Sequence, residues 1–191
     1  MTPALAWEQI VPEGPLDPDK LWMPVGGICQ NYNRAFSDTA AATIISQRLH
    51  LAGGAVLEAG RTITSISFWS QAAAVTPANQ WFCIVDRDTL ALLAITVDDG
   101  ATAWAADTLK TLALSAPFQN TLNREIYIGV MVNAATTPTI AGNAPRIGVV
   151  DMAVSLGGHS SAALTNPASC PNPVAAPVAT NRLPWALLNG T

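Results

Sequence analysis

The chain has 191 residues and a mass of 19.9 kDa, room for one domain with arms or two very small ones. Half of it is hydrophobic, only 12% is charged, and mean hydropathy is +0.29. That combination excludes disorder as the main state, which needs low hydrophobicity and high charge. Nine Lys and Arg against thirteen Asp and Glu, with a pI near 4.9, argue against nucleic-acid binding. With about half the charge of an ordinary soluble domain, much of the outer surface is expected to be buried against other chains.

Residues 1–42 read as an extended N-terminal arm. Pro3, Pro12, Pro15, Pro18 and Pro24 deny it a long helix or a central strand, and Gly26-Gly27 adds a flexible point. It is still apolar, with Leu5, Trp7, Ile10, Leu16, Leu21, Trp22 and Met23 spread along it. The opening Met1-Thr-Pro-Ala-Leu-Ala-Trp-Glu lacks the basic and apolar regions of a signal peptide, so synthesis in a cytosol without export is expected. No stretch approaches the roughly 18–20 apolar residues of a spanning helix, and no membrane partner is expected.

Residues 43–155 carry the strand signals. Thr43 to Leu51 is a first strand; Ala52-Gly53-Gly54 and Ala59-Gly60 read as turns, and Arg61 to Trp69 as the next strand. Gln80 to Asp86 and Leu90 to Thr96 form a hairpin around Arg87-Asp88-Thr89. Asp98-Asp99-Gly100 is a turn, with short strands at Ala101 to Ala106 and Lys110 to Leu114. Glu125 to Asn133 alternates cleanly: Ile126, Ile128, Val130 and Val132 on one face, Tyr127, Gly129 and Met131 on the other. Arg146 to Val154 completes a set of about eight short strands without helices, an antiparallel sandwich or barrel. Residues 156–191 read as a Pro-rich extended tail ending in the apolar hook Leu183-Pro-Trp-Ala-Leu-Leu188. Burying Trp185 there contributes on the order of 2–3 kcal/mol, enough to pin the end to a neighbour or to its own core.

The chemistry-bearing residues are sparse. Asp86 and Asp88 flank Arg87 in a hairpin tip, which reads as a solvated turn with a local ion pair, although a β-sandwich glycosidase would need two carboxylates. Asp98-Asp99-Gly100 lacks the further oxygen ligands that calcium needs. His159-Ser160-Ser161 has no acid placed beside it, and His50 and His159 stand alone as zinc ligands. Cys83 reads as a small buried hydrophobe; a Cys29–Cys170 bridge tying the ends together is open. No catalytic residue, metal or cofactor is therefore expected. Trp69, Trp81 and Trp104 read as sheet residues, and Trp7, Trp22 and Trp185 as anchors in protein–protein contacts or, alternatively, as sugar platforms.

The strand texts Gln47-Arg-Leu-His-Leu51, Ala59-Gly-Arg-Thr-Ile-Thr-Ser-Ile-Ser-Phe68 and Trp81-Phe-Cys-Ile-Val-Asp86 carry a resemblance. So do Leu109-Lys-Thr-Leu-Ala-Leu114, Ile126-Tyr-Ile-Gly-Val-Met-Val132 and Thr137-Pro-Thr-Ile-Ala-Gly142. Roughly half the chain, Ile44 to Ala141, resembles the jelly-roll-like β domains of tailed-bacteriophage virion proteins, especially those of actinobacteriophages. The resemblance implies a jelly-roll-like sandwich and a structural role, with no shared active site. The expectation is a non-enzymatic capsid decoration protein, assembled in the bacterial cytoplasm and carried on the virion. Its partners would be the major capsid protein or other virion proteins and further copies of itself, as a trimer that covers exposed strand edges. Trp7, Trp22, Trp185, Leu187 and Leu188 are the expected docking residues. The alternative is a tail-tip or fibre module that binds a host-surface glycan through residues 76–80 and 136–139.

Overall fold

A computed structural model of the chain describes residues 26–32, 38–143, 157–180 and 182–191. Its strands, in chain order, begin with β1 (Gly27–Gln30), β2 (Asp38–Thr43), β3 (Leu49–Leu57) and β4 (Thr62–Ala72). Next come β5 (Val75–Asp86), β6 (Leu92–Ile95), β7 (Leu109–Gln119), β8 (Arg124–Thr136) and β9 (Thr139–Asn143). The C-terminal quarter adds β10 (Gly157–His159), β11 (Val178–Ala179), β12 (Leu183–Pro184) and β13 (Ala186–Gly190). They build two antiparallel sheets in a sandwich-like arrangement, with no α-helix among the described residues. The six-stranded sheet runs β11-β10-β3-β8-β5-β6. In the seven-stranded sheet the order is β1-β13-β4-β9-β12, with β2 on β9 and β7 on β4.

The period-two text of β8 explains the layering. Ile126, Ile128, Val130 and Val132 enter the core between the sheets, with Phe68, Phe82, Ile84 and Trp104. Tyr127 and Met131 point to the other side of the six-stranded sheet, where Leu49, Leu51, Trp81, Cys83 and Val85 form a second apolar cluster. Gly129 sits in that face because a Cβ there would lie 2.5 Å from Cys83 Sγ and 2.9 Å from Leu49 Cδ1. A side chain would have to displace two fully buried neighbours.

What covers the second cluster is the Pro-rich segment expected to be a tail. Leu164 and Val174 pack onto it, and the backbone is stitched down along its length. Ser160 N–H donates to Leu49 O, Leu164 N–H to Gln47 O and Val174 N–H to Leu90 O, each at 2.8 Å. Trp81 Nε1 donates to Thr165 O at 2.8 Å, and Leu92 N–H to Asn172 Oδ1 at 3.0 Å. Proline excludes this strap from a sheet interior but not from lying across a sheet face.

The apolar hook is likewise not free. β13 lies inside the seven-stranded sheet between β1 and β4, with Leu188 opposite Ile66 and Ala186 opposite Phe68. Asn31 clasps it, donating to Pro184 O at 2.8 Å and accepting from Ala186 N–H at 2.9 Å. Thus residues 27–30 and 38–42 of the expected N-terminal arm, and four strands of the expected tail, belong to the sandwich.

Three local readings change. The expected strand from Thr43 to Leu51 breaks at Gln47, whose φ is +62°. Gly53-Gly54 is not a turn but a bulge inside β3, where the pairing with β8 slips between Ala52 and Ala55 and Gly54 takes φ +92°. Ala101 to Ala106 is loop, and its Trp104 is driven into the core, 5.8 Å from the Phe82 ring. The expected strand Arg146 to Val154 lies outside the described residues.

Candidate functional site

Of the expected docking residues, Trp7 and Trp22 lie outside the described residues. Trp185, Leu187 and Leu188 are buried in this chain's own fold, at 2%, 0% and 0% exposure, so they are core side chains rather than docking anchors. The hook's apolar text is satisfied by β1 and β4 on either side of it.

The carboxylates of the hairpin tip work for the fold. Asp86 Oδ1 accepts from the N–H groups of Asp88 and Thr89 and from the Thr89 hydroxyl, at 3.1, 2.9 and 2.9 Å. Burial pushes its pKa up, but these bonds and Arg124, 3.3 Å from Oδ2, outweigh it and hold the carboxyl below its ordinary value. Arg87 pairs with Glu125 across the sheet rather than with its sequence neighbours. A carboxylate held ionised and saturated with donors staples a turn and is poorly placed to give up a proton in catalysis.

The two histidines, 109 residues apart, are cross-strand partners in β3 and β10, with ring centroids 5.6 Å apart. His50 Nε2 accepts from Ile45 N–H at 2.8 Å, which places its proton on Nδ1. His159 Nδ1 lies 2.9 Å from the Ser160 carbonyl and must donate to it. The Ser160 hydroxyl donates to Ala162 O and accepts from Leu49 N–H, both at 3.0 Å. Both of its hydrogen-bonding roles are used by backbone, which does not make it an activated nucleophile.

The cysteines are unpaired. Cys29 packs between the sheets and Cys170 against the far side of the six-stranded sheet, so the bridge left open by the sequence does not form. Burial pushes the thiols of Cys29 and Cys170 up to about 11 and that of Cys83 up as well. Thiols so protonated are inert.

Sequence reasoning missed a dense polar cluster around Asp98, Asp99 and Lys110. The Asp98-Asp99-Gly100 turn is tied down by Asp98, which accepts from Gln80 N–H and Gly100 N–H at 2.9 Å each and from Asn79 Nδ2 at 2.6 Å. Beside it the Lys110 ammonium lies 2.5 Å from Asp99 Oδ2, 3.1 Å from Gln80 Oε1 and 3.4 Å from Thr102 O, with the Trp104 ring centroid at 5.4 Å. The oxygens that calcium would need converge instead on the protein's own cation. Among the described residues no cluster of three or more His, Cys, Asp or Glu side chains could hold a metal. The signal was parity: Lys110 shares the inward face of β7 with Leu112 and Leu114. Lys110→Met is expected to cost about 2 kcal/mol, between the values for exposed and buried pairs. Chemical denaturation checks this, and adding Asp99→Asn should recover part of the loss.

Among the described residues an open feature lies between β6 and β7. β7 leaves β4 between Ala113 and Phe118 and swings toward β6, where Thr96 and Leu114 form a bridge. Beyond the bridge the strands part, leaving a cavity of about 250 Å³ lined by Leu92, Leu93, Ala94, Ile95 and residues 115–118. Nothing charged lines it.

No protein-family model, curated protein or solved structure matches the chain.

Proposed function

We propose that this chain is a non-enzymatic structural subunit of a tailed-bacteriophage virion, a decoration or cement protein on the outer capsid surface. Its docking device is the N-terminal segment with Trp7 and Trp22, and its assembled form is a trimer. The observation that carries the reading is where the polar groups go. Asp86, Asp98, His50, Ser160 and Lys110 are each engaged by the fold's own groups, while the open cavity is apolar and uncharged. A surface so low in charge, with an apolar proline-rich segment ahead of it, suits packing against other chains better than turnover of a small substrate.

The glycan-binding alternative loses one of its two expected loops, since residues 76–80 belong to β5. Deleting residues 1–24 should leave the melting transition within a few degrees of the parent and abolish co-sedimentation with undecorated capsids. Retained capsid binding by the truncated chain overturns the reading. So does a copy number of only a handful per particle, measured by quantitative mass spectrometry, which would place the protein at the tail.

A further inference from the structure

The two histidines form a pair at the point where the Pro-rich strap begins. His50 lies on the inward face of β3, opposite Val130 of the core between the sheets, and is 4% exposed. His159 is its cross-strand partner and the last residue of β10, and Ser160 next to it opens the strap. The Nε2 lone pair of His50 accepts Ile45 N–H. A second proton on this ring breaks that bond and sets a charge beside His159, the ring centroids being 5.6 Å apart. Among the described residues, the groups that face the pair offer no counter-charge. β8 brings Val130 opposite His50, and β11 brings Val178 opposite His159. From the facing sheet β12 brings Leu183 toward Gly157, with Arg182 before it and the Tyr32 hydroxyl on the Leu183 carbonyl. Arg48, two residues ahead of His50, donates to Ser161 O. None of these groups is a carboxylate, and both arginines share the sign of a protonated imidazole. A buried charge left unpaired is destabilising, so the ring gains a proton most readily when it reaches water.

The strap itself is lightly held. β10 has three residues and its outer neighbour β11 two. Between residues 160 and 178 only Ser160, Leu164 and Val174 are buried. A segment with so few buried contacts opens at far lower free energy than the sheets beneath it. We propose that β10 and the strap form an acid-released latch: a proton on His50 parts β10 from β3, and the strap lifts off the outer face of the six-stranded sheet. Lifting it bares Leu49, Leu51, Trp81, Val85 and Met131, an apolar face that is closed at neutral pH. Burial, then His159, lower the pKa of His50 in the closed form from 6.5 to about 4, while the opened ring regains its ordinary value. Opening is therefore unaided above pH 6.5 and favoured as pH falls, with the open fraction at pH 5 roughly 30-fold that at pH 7.5.

The test is amide hydrogen exchange on the full-length chain at pH 7.5 and pH 5, each rate divided by the unfolded-chain rate at that pH. The N–H groups of Ser160, Leu164 and Val174 report the strap, and the amides of β4 and β13 report global unfolding. Opening of the strap should rise roughly 30-fold at pH 5. It should also stay insensitive to low urea, because lifting a strap exposes little surface. The β4 and β13 amides should be far better protected at both pH values, and the same urea should speed their exchange. His50→Gln accepts Ile45 N–H without titrating, and its strap should open equally at the two pH values. A parent strap whose opening does not rise in acid overturns the proposal. So does one that opens only together with β4 and β13, at their protection and urea dependence, a comparison that needs no variant. An equal rise in His50→Gln overturns it as well.

Discussion

Trp81→Ala is expected to lower the free energy of unfolding by about 3–5 kcal/mol, the range for emptying a fully buried tryptophan site. Trp81 is 0% exposed and holds two layers together: its ring fills the cluster on the outer face of the six-stranded sheet, and its indole N–H ties down the strap at Thr165. Trp81→Phe keeps most of the packing and loses the hydrogen bond, and should cost about 1–2 kcal/mol. Urea unfolding gives both numbers. Limited proteolysis adds a local readout, since the alanine variant should be cut first between residues 160 and 176. A loss under 1 kcal/mol for the alanine variant would mean that the strap does not depend on this residue.

Stability should fall by about 3 kcal/mol as pH drops from 6.5 to 4, and His50 should account for it. Burial, then the neighbouring His159, lower its pKa from 6.5 to about 4. The unfolded chain therefore takes up a proton on this ring before the folded one does. The contribution is complete above pH 6.5, declines as pH falls toward 4 and then levels, at about 1.4 kcal/mol per pH unit. Protonation also removes the lone pair that accepts Ile45 N–H. His50→Gln offers an oxygen to that donor and does not titrate, so its stability should stay level through the same window. The depressed carboxyl of Asp86 acts below its ordinary pKa of 3.8 and leaves the upper part of the window to His50. A parent whose denaturation midpoint does not change between pH 7 and 5 would refute this account.

The strands with strong alternation were legible because period two assigns faces without knowledge of partners. In β8 both faces, including the place of Gly129, follow from the text alone, and the β5–β6 hairpin follows from Arg87-Asp88-Thr89 between two apolar runs. Misreadings arose where a residue type has two uses. Gly53-Gly54 serves a bulge as readily as a turn, and prolines at 167, 171, 173 and 177 forbid a central strand yet suit a strap across a sheet face. The apolar text from Trp185 to Leu188 demands burial and, read alone, points to a docking partner; the fold instead buries it beside β1 and β4 of the same chain. Lys110 could have been caught, since it shares parity with two inward leucines; the meeting of His50 with His159 could not.

By itself the sequence determined an all-β chain of low charge, the inward faces of its strongest strands, and turns at Gly60, Asp88 and Gly100. Those are consequences of local sterics and of burying alternate side chains, which act over a few residues. Tertiary structure alone decided that both ends of the described chain join one sheet, that the Pro-rich segment roofs the other, and that Lys110 fills its own oxygen cage. It also decided that β6 and β7 part to leave an apolar groove. Each depends on pairings between segments distant in sequence, and the free energy that selects them lies in the shared burial of both partners.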